Sequence, residues 1–368
     1  MSSRIIALGM SSPLGGVVQA CAAHRAGISR VAPSREVVCR ARGEAEPQPL
    51  PVLEVPGVSF GFRGVGRLVA LLCDAFQDLS STAALPWLAS ELPVFLALPD
   101  PMARGIPVEP ELWQDVPGKR SALGQRVLEQ VFENLGLRKG RQSWHFFGGG
   151  HAAFGHALEA AHRGLRQRDF PACFVAAADS LVIPEVLEAM LAEGWLKTAD
   201  NPVGFVPGEA AVVACLGAPR GGDGQVPLAL IRGLRLGYEP RGEEPDSTPI
   251  GQVLARCLLE ALEEAEVPTD RLLLVSDHDG EQRRAMELGG LQLQLRGRGI
   301  GGGGLSVWHP AMGFGNTGAA SGAVGLCVAV RGIQRHQAPA SSTLAVLSAA
   351  DGPERAALIV SAPSAPPF

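Results

Sequence analysis

Short apolar runs alternate with amphipathic segments along the whole chain. Apolar runs bounded by Gly, Pro, Asp or Ser predict buried strands. The predicted strands are residues 5–8, 94–98, 143–147, 173–178, 211–216, 228–237, 271–276, 343–348 and 356–361. Segments whose apolar residues recur at helical spacing predict helices. The predicted helices are residues 17–26, 65–79, 121–137, 151–165, 184–193 and 250–265, with one more starting near Gly318. This alternation predicts an α/β protein with mainly parallel sheets.

The stretches between these elements are rich in Gly, Pro and charged residues, which is typical of connections. They are residues 40–60, 101–120, 217–226 and 297–304. The last of them contains the glycine run Gly301 to Gly304, which could cradle a phosphate. No Lys-Ser or Lys-Thr pair follows this run as it does in a P-loop, so a flexible loop is the better interpretation.

Composition narrows the classes of protein that this pattern allows. The 368 residues are 46% hydrophobic, which is enough for a large core, and the net charge is −5. No run of Lys and Arg is present, so a nucleic-acid partner is not expected. No apolar stretch approaches the ~20 residues of a membrane span, and the chain does not open with a secretory signal pattern. The seven cysteines are scattered without a CxxC pair, which indicates reduced core thiols in a cytoplasmic protein.

Four segments carry motifs in a consistent order along the chain. They are IIALGMSSPLG at Ile5–Gly15, the strand, glycine turn and helix at 143–165, GFVPGEAAVVACL at Gly204–Leu216 and GFGNTGAASGAVGL at Gly313–Leu326. Together they resemble the β-ketoacyl synthases, which have the thiolase fold. The resemblance implies a duplicated five-layer αβαβα architecture, with an N-terminal half at residues 1–222 and a C-terminal half at residues 223–368. It also implies a dimer in which residues 173–178 or a neighbouring strand pair across the two-fold axis.

The resemblance also implies a catalytic site. In that family a cysteine at a helix N-terminus attacks a thioester, because the helix dipole favours the thiolate. Two further residues, His with His or Asn, polarise the malonyl carbonyl, and backbone N–H groups form an oxyanion hole. In this chain the position of the nucleophile holds His151, and its sequence neighbours Gly150 and Ala152 are not nucleophiles either. The matching positions of the other two residues hold His278 and Asn316, so these three are the candidate catalytic residues.

A second departure from the family pattern lies near the C-terminus. Where the family has a glycine-rich loop that supplies an oxyanion donor, this chain has Gly352 followed by Pro353, which has no N–H. Glu209, in the GFVPGE segment, is interpreted as a residue that ties loops together near the pocket.

The role of His151 stays open between two interpretations. A neutral imidazole at a helix N-terminus could act as a nucleophile or a general base. Alternatively, His151 is a polar residue that replaced a lost cysteine and hydrogen-bonds in a vestigial pocket. A zinc site formed by His151, His278 and Asp277 or Asp279 lacks any supporting ligand spacing. No metal and no cofactor is therefore expected.

Three functional hypotheses follow from the resemblance. The favoured one is a pseudo-ketosynthase that does not condense acyl groups and acts as a binding partner or adaptor. It would be the heterodimer partner of an active synthase in fatty acid or polyketide biosynthesis, or an accessory protein of a type VI secretion cluster. The second is an acyltransferase that uses acyl-carrier protein or acyl-CoA, or a malonyl decarboxylase with a His-His-Asn pocket. The third is an acyl-ligand sensor. The expected partners are a second copy or a synthase-like subunit, an acyl-carrier protein or CoA thioester, and secretion-system proteins.

Overall fold

The computed structural model describes residues 2–82, 92–137, 142–218, 226–239, 250–269, 271–301, 305–338, 343–349 and 352–363. The strands are β1 Ser3–Ser11, β2 Ala32–Cys39, β3 Gln48–Val52, β4 Val94–Ala97, β5 Trp144–Phe147, β6 Ala172–Ser180, β7 Glu209–Gly217, β8 Ala229–Tyr238, β9 Leu272–Ser276, β10 Ser306–Trp308, β11 Thr343–Ala349 and β12 Glu354–Ser361. The α-helices are α1 Val17–Arg25, α2 Gly64–Thr82, α3 Val116–Asn134, α4 Ala153–Gln167, α5 Pro184–Ala192, α6 Gln252–Ala265, α7 Gln282–Gly297, α8 Ala311–Phe314 and α9 Ser321–Gln334. No helix in the described ranges is long and apolar enough to span a membrane.

The main sheet repeats one topology twice. The N-terminal half has the strand order β1-β7-β6-β4-β5, and the C-terminal half has the order β8-β12-β11-β9-β10. Corresponding strands also have the same directions, because the first two pairings of each half are antiparallel and the last two are parallel. The halves join where Ser3–Ile5 of β1 pairs with Ala229–Ile231 of β8. The duplicated thiolase-like architecture is therefore confirmed.

Strand alternation builds the layers, because successive residues of a strand face opposite sides of the sheet. In β6, Cys173 and Val175 face the central core, whereas Phe174 and Ala176 face α2 and α3. In β9, Leu273 faces the same central core, and the residues on either side of it in the strand face α6 and α7. Helices α4 and α9 lie in the central core between the two half-sheets. The sequence of layers is helix, sheet, helix, sheet, helix.

The expectation of mainly parallel sheets is wrong in part, because each half mixes both directions. The apolar periodicity of a strand does not show its direction relative to its neighbour, but a very short connection between the two strands does. Only four residues separate β11 from β12, and such a short connection requires antiparallel neighbours.

Strands β2, β3 and β10 and helices α7 and α8 were not predicted from sequence. The predicted loop at 40–60 contains β3, which pairs with β2 in a separate two-stranded sheet. Helix α7 was not predicted, because its buried face includes the charged residues Arg284 and Glu287 beside Leu288, Leu291 and Leu295. A charged residue on a buried face hides the apolar period of a helix.

Some predictions lie outside the described residues. The proposed division between residues 222 and 223 lies there, and it stays a prediction. The same applies to part of the connections at 217–226 and 297–304, including residues 302–304 of the glycine run.

Candidate functional site

The site lies where the two halves meet, at equivalent positions of the repeated topology. In the N-terminal half, β5 is followed by a glycine turn and then by His151, which precedes α4. Gly149 and Gly150 have φ values of 124° and 55°, which side chains rarely adopt, so the sharp turn requires glycine there. In the C-terminal half, β10 is followed by α8 and then by Asn316, which precedes α9. The duplication therefore brings His151 and Asn316 together.

The buried ring of His151 is hydrogen-bonded through both of its nitrogens. Nδ1 lies 2.8 Å from Asp277 Oδ2, and Nε2 lies 2.9 Å from Asn316 Oδ1. The amide of Asn316 is oriented by two other contacts: its Nδ2 donates to Asp279 Oδ2 at 2.7 Å, and Gly318 N donates to its Oδ1 at 2.9 Å. Both atoms that face the ring are therefore acceptors. Each ring nitrogen must donate, so His151 is an imidazolium with no free lone pair.

The guanidinium of Arg284 lies against this ring. Its Nη1 and Nη2 atoms are 3.2 and 3.3 Å from His151 Nδ1 and Nε2. Because donors face donors, these contacts are packing rather than hydrogen bonds. Arg284 donates instead to the carbonyl of Ala349. It also lies 3.5 Å from Asp277 Oδ2 and 3.7 Å from Asp279 Oδ2.

The result is a buried quartet of two cations and two anions, formed by His151, Arg284, Asp277 and Asp279. Burial alone would raise the pKa of the Asp277 carboxyl, but His151, Arg284 and the amide of Ala349 reverse this effect and lower the pKa below its ordinary value. The amide of Ala349 donates to Asp277 Oδ2 at 2.9 Å. The charges of the quartet balance, so its members can stay ionised away from water.

His278 lies between the two aspartates in sequence but faces away from the quartet. Its ring centroid is 5.5 Å from that of His309, in a T-shaped arrangement. The Nδ1 atoms of both rings are buried without a hydrogen-bond partner in the described part of the chain. Burial, reinforced by His278, lowers the pKa of His309. The structure thus brings together two of the three candidate catalytic residues, and the third belongs to a separate histidine pair.

Two cavities adjoin the quartet. The inner cavity, of about 470 Å³, reaches His151 and Asn316, and the outer cavity, of about 380 Å³, reaches Arg284. Trp195 and Phe205 line both cavities. The inner cavity also has apolar walls, contributed by Leu181, Val186, Ala189 and Met190. The stacked side chains of His151 and Arg284 therefore form part of the wall between the two cavities.

Comparison with solved structures identifies the fold. One chain of the complex of a type II polyketide synthase acyl-carrier protein with its ketosynthase, AntDE:AntF, matches with a TM-score of 0.74 at 16% identity, over 98% of this chain and 99% of that chain. The ishigamide ketosynthase/chain length factor matches with a TM-score of 0.71 at 16% identity, over 99% of both chains. The ketosynthase from module 6 of the bacillaene synthase of Bacillus subtilis 168 has a TM-score of 0.71 at 12% identity, over 99% of this chain and 72% of that one. The chain has the thiolase-like ketosynthase fold. No protein-family model and no curated protein sequence matches it.

Two buried carboxylates, Asp179 and Glu209, hold together segments beside this ketosynthase-fold site. Arg104 donates to both oxygens of Asp179, at 2.8 and 2.9 Å, and the amide of Ala319 donates to Asp179 at 2.9 Å. Asp179 therefore ties an inner-cavity residue to the turn that follows Asn316. The fully buried Glu209 binds four donors, which are Val55 N, Ser59 Oγ, Arg67 Nε and Ser180 Oγ. This geometry agrees with the structural interpretation of Glu209.

The cysteines of this ketosynthase-fold chain lie away from the inner cavity. None of them is among the described residues that line it. Burial raises the pKa of Cys21 and Cys215 to about 12 and that of Cys257 to about 11. Burial also raises the pKa of Cys73, Cys173 and Cys327. These thiols stay protonated at neutral pH and are poor nucleophiles.

Sequence reasoning missed Arg284, Asp277 and Asp279 as members of the site. The two aspartates flank His278 and were considered only as alternative ligands of a zinc site that no ligand spacing supports. The sequence did not indicate that Arg284 belongs to the site, because a single arginine in a polar helix is usually exposed. Within the described ranges, no group of three or more His, Cys, Asp and Glu side chains is arranged to hold a metal ion.

Proposed function

We propose that this protein is a pseudo-ketosynthase, which has the ketosynthase fold, does not condense acyl groups and acts by binding a synthase-like partner. The observation that carries the proposal is the double hydrogen bonding of His151. A nucleophile or general base needs a free lone pair, and both ring nitrogens donate to Asp277 and Asn316. The guanidinium of Arg284 also covers one face of the same ring.

The second support is the loop that would supply an oxyanion donor. Its first described amide, Ala349 N, is bound to Asp277, and the carbonyl of Ala349 accepts from Arg284. Pro353 has no N–H to contribute. The loop therefore stabilises the charged quartet, whereas condensation would require free backbone donors.

The surface that best fits a synthase-like partner, or a second copy of this chain, is the open edge of β5. The alternative named from sequence, residues 173–178, is wrong, because β6 is paired on both sides, with β4 and β7. Among the strands that the structure describes, β5 ends the sheet order and pairs only with β4. Val94 N binds Ser143 O and Leu98 N binds Phe147 O, so alternation directs the N–H of Phe146 outward.

The catalytic part of the proposal is tested by intact-protein mass spectrometry after incubation with acyl-CoA and malonyl-CoA, combined with a measurement of CO₂ release. We expect no covalent adduct and no CO₂ above a protein-free control. An acyl adduct on His151 or on any cysteine would overturn the proposal. So would CO₂ release that is lost in His151→Ala and Asn316→Ala, since that result favours the decarboxylase.

The partner part is tested by light scattering and by co-purification with synthase, acyl-carrier and type VI secretion proteins encoded near this one. Phe146→Pro removes the outward N–H, whereas the matched control Phe146→Ala removes the same ring and keeps the N–H. We expect association in the wild type and in Phe146→Ala, and its loss in Phe146→Pro. Equal association by both variants would exclude β5 as the contact. Co-purification with secretion proteins alone would favour the adaptor form over the synthase partner.

A second candidate function, acyl-ligand sensing, is favoured by the inner cavity. Phe314 is fully buried in the central core, and Met312 is 75% exposed. Neither lines the inner cavity, which has mainly apolar walls and a volume suited to a chain of methylenes. Saturable binding of a free fatty acid without any turnover would support this function.

A further inference from the structure

A groove far from His151 is lined by arginines from two elements. Arg163 and Arg166 come from α4, and Arg232 and Arg235 come from β8. The groove has a volume of about 230 Å³, and its two acidic residues are Glu159 and Glu264. An α-helix rises about 1.5 Å per residue, so the C-terminal end of α4 lies roughly 20 Å from its N-terminal end at His151. This arginine groove is therefore separate from the inner and outer cavities.

The groove follows from the way the two halves join. Strand β1 pairs with β8 only up to Ile231, so the same edge of β8 is not paired with β1 from Arg232 onward. Helix α4 packs beside this part of β8. The contact is tight near Gly155, where an added Cβ would lie 2.8 Å from Ala356 Cβ and 3.1 Å from Leu236. Further along α4, the groove opens between helix and strand.

The two glutamates neutralise only part of the positive charge. Glu264 accepts from Arg235 and from the amide of Leu234 through its Oε2 atom, so its charge is shared with Arg235. Glu159 lies 3.6 Å from Arg163, and both side chains are more than half exposed, so this ion pair contributes little.

The remaining two arginines keep spare donors. Among the described residues, Arg166 has no carboxylate partner. Arg232 makes one long contact, at 3.5 Å, with the carbonyl of Ala265. Burial, together with Arg166, lowers the pKa of His162 beside them, so this ring stays neutral and adds no charge. The groove thus concentrates unpaired guanidinium groups on a protein whose net charge is −5.

We propose that the arginine groove binds a phosphate-bearing anion between Arg166 and Arg232, with Arg163 at its rim. Guanidinium groups bind phosphate oxygens through paired, charge-assisted hydrogen bonds, which explains why arginines from two different elements converge on one cleft. The site does not depend on whether the inner cavity is catalytic, so it stands apart from the proposed function.

The test is isothermal titration calorimetry with pyrophosphate as the probe, at an ionic strength of about 20 mM where charges are weakly screened. We expect saturable binding with one site per chain. The affinity for pyrophosphate should fall at least tenfold in the double variant Arg166→Ala/Arg232→Ala. Each substitution removes hydrogen bonds between charged groups, and each such loss weakens binding ~tenfold or more. The matched control is Arg126→Ala, which removes an exposed arginine of α3 and should bind like the wild type.

Three results would overturn the proposal. They are no saturable heat in the wild type, equal binding by the double variant, and an equal loss in the Arg126→Ala control, which would indicate diffuse surface attraction. Far-UV circular dichroism of each variant shows that it is folded. If the double variant fails to fold, Arg166→Gln/Arg232→Gln replaces it, because glutamine keeps the stems of both side chains.

Discussion

Replacing Arg284 with alanine removes one of the two cations of the buried quartet. Asp277 and Asp279 then share one imidazolium, so a negative charge is left without compensation in a site that excludes water. Removing one partner of a buried ion pair costs about 3–5 kcal/mol. For 368 residues the unfolding entropy is roughly 0.8 kcal/mol/K, so this loss lowers the unfolding midpoint by roughly 4–6 °C.

The same substitution opens the wall between the two cavities. The inner cavity of about 470 Å³ and the outer one of about 380 Å³ meet at the contact of Arg284 with His151. A long acyl chain can then extend from one cavity into the other. Each additional buried methylene contributes ~0.8 kcal/mol, or about fourfold in Kd.

Two assays separate these effects. Differential scanning fluorimetry gives the unfolding midpoint, and titration with the fluorescent fatty acid cis-parinaric acid gives the affinity for a long chain. Arg284→Met removes the charge but keeps a long side chain, so we expect it to lose stability as Arg284→Ala does, without gaining affinity. Arg283→Ala changes an exposed neighbour that also lines the outer cavity, and its midpoint should stay within about 1 °C of the wild type.

The outcomes refute distinct steps of the reasoning. An unchanged midpoint in both Arg284 variants would show that the quartet does not depend on charge balance. A lower midpoint combined with unchanged probe affinity in Arg284→Ala would show that another side chain separates the cavities.

Two further predictions concern the scaffold. Burial lowers the pKa of several histidines, namely His24, His145, His156, His162 and His309. They protonate more readily in the unfolded chain, so stability should fall as the pH drops below about 6.5; unfolding midpoints that do not change between pH 7 and 5 would contradict this. Gly318→Ala places a Cβ 2.0 Å from Asp179 Oδ2 at a φ of +52°, so we expect a loss of at least about 2 kcal/mol in urea unfolding. Gly289→Ala, where the added Cβ meets nothing within 4 Å, is the control and should not be destabilised.

Most of the fold and half of the site could be predicted from sequence. The duplicated architecture was implied by the resemblance to the β-ketoacyl synthases. The glycine turn before His151 and the position of Asn316 follow from short motifs whose spacing the structure keeps. These features are local, because a glycine turn or a helix start is determined by a few adjacent residues.

The partners of His151 could not be predicted in the same way. Asp277 and Arg284 are separated from it by 126 and 133 residues, and the pairing arises only when the half-sheets pack. His278 was chosen over its neighbours because it matched the family residue type. Yet the chain leaves the end of β9 in a direction that brings Asp277 to His151, Asp279 to Asn316 and the imidazole of His278 to His309. A strand pattern does not predict that direction.

The charged quartet also affects how the two halves fold. His151 belongs to the N-terminal half, whereas Asp277, Asp279 and Arg284 all belong to the C-terminal half. If only the N-terminal half were folded, the imidazolium would lack its acceptors. If only the C-terminal half were folded, two carboxylates would face a single guanidinium. In both cases the charged groups would be exposed to water. Such half-folded states lack the ion pairs of the quartet and expose the apolar faces of α4 and α9 that the two half-sheets bury, so they are disfavoured. Despite the repeated topology, the two halves are therefore expected to unfold in one cooperative transition.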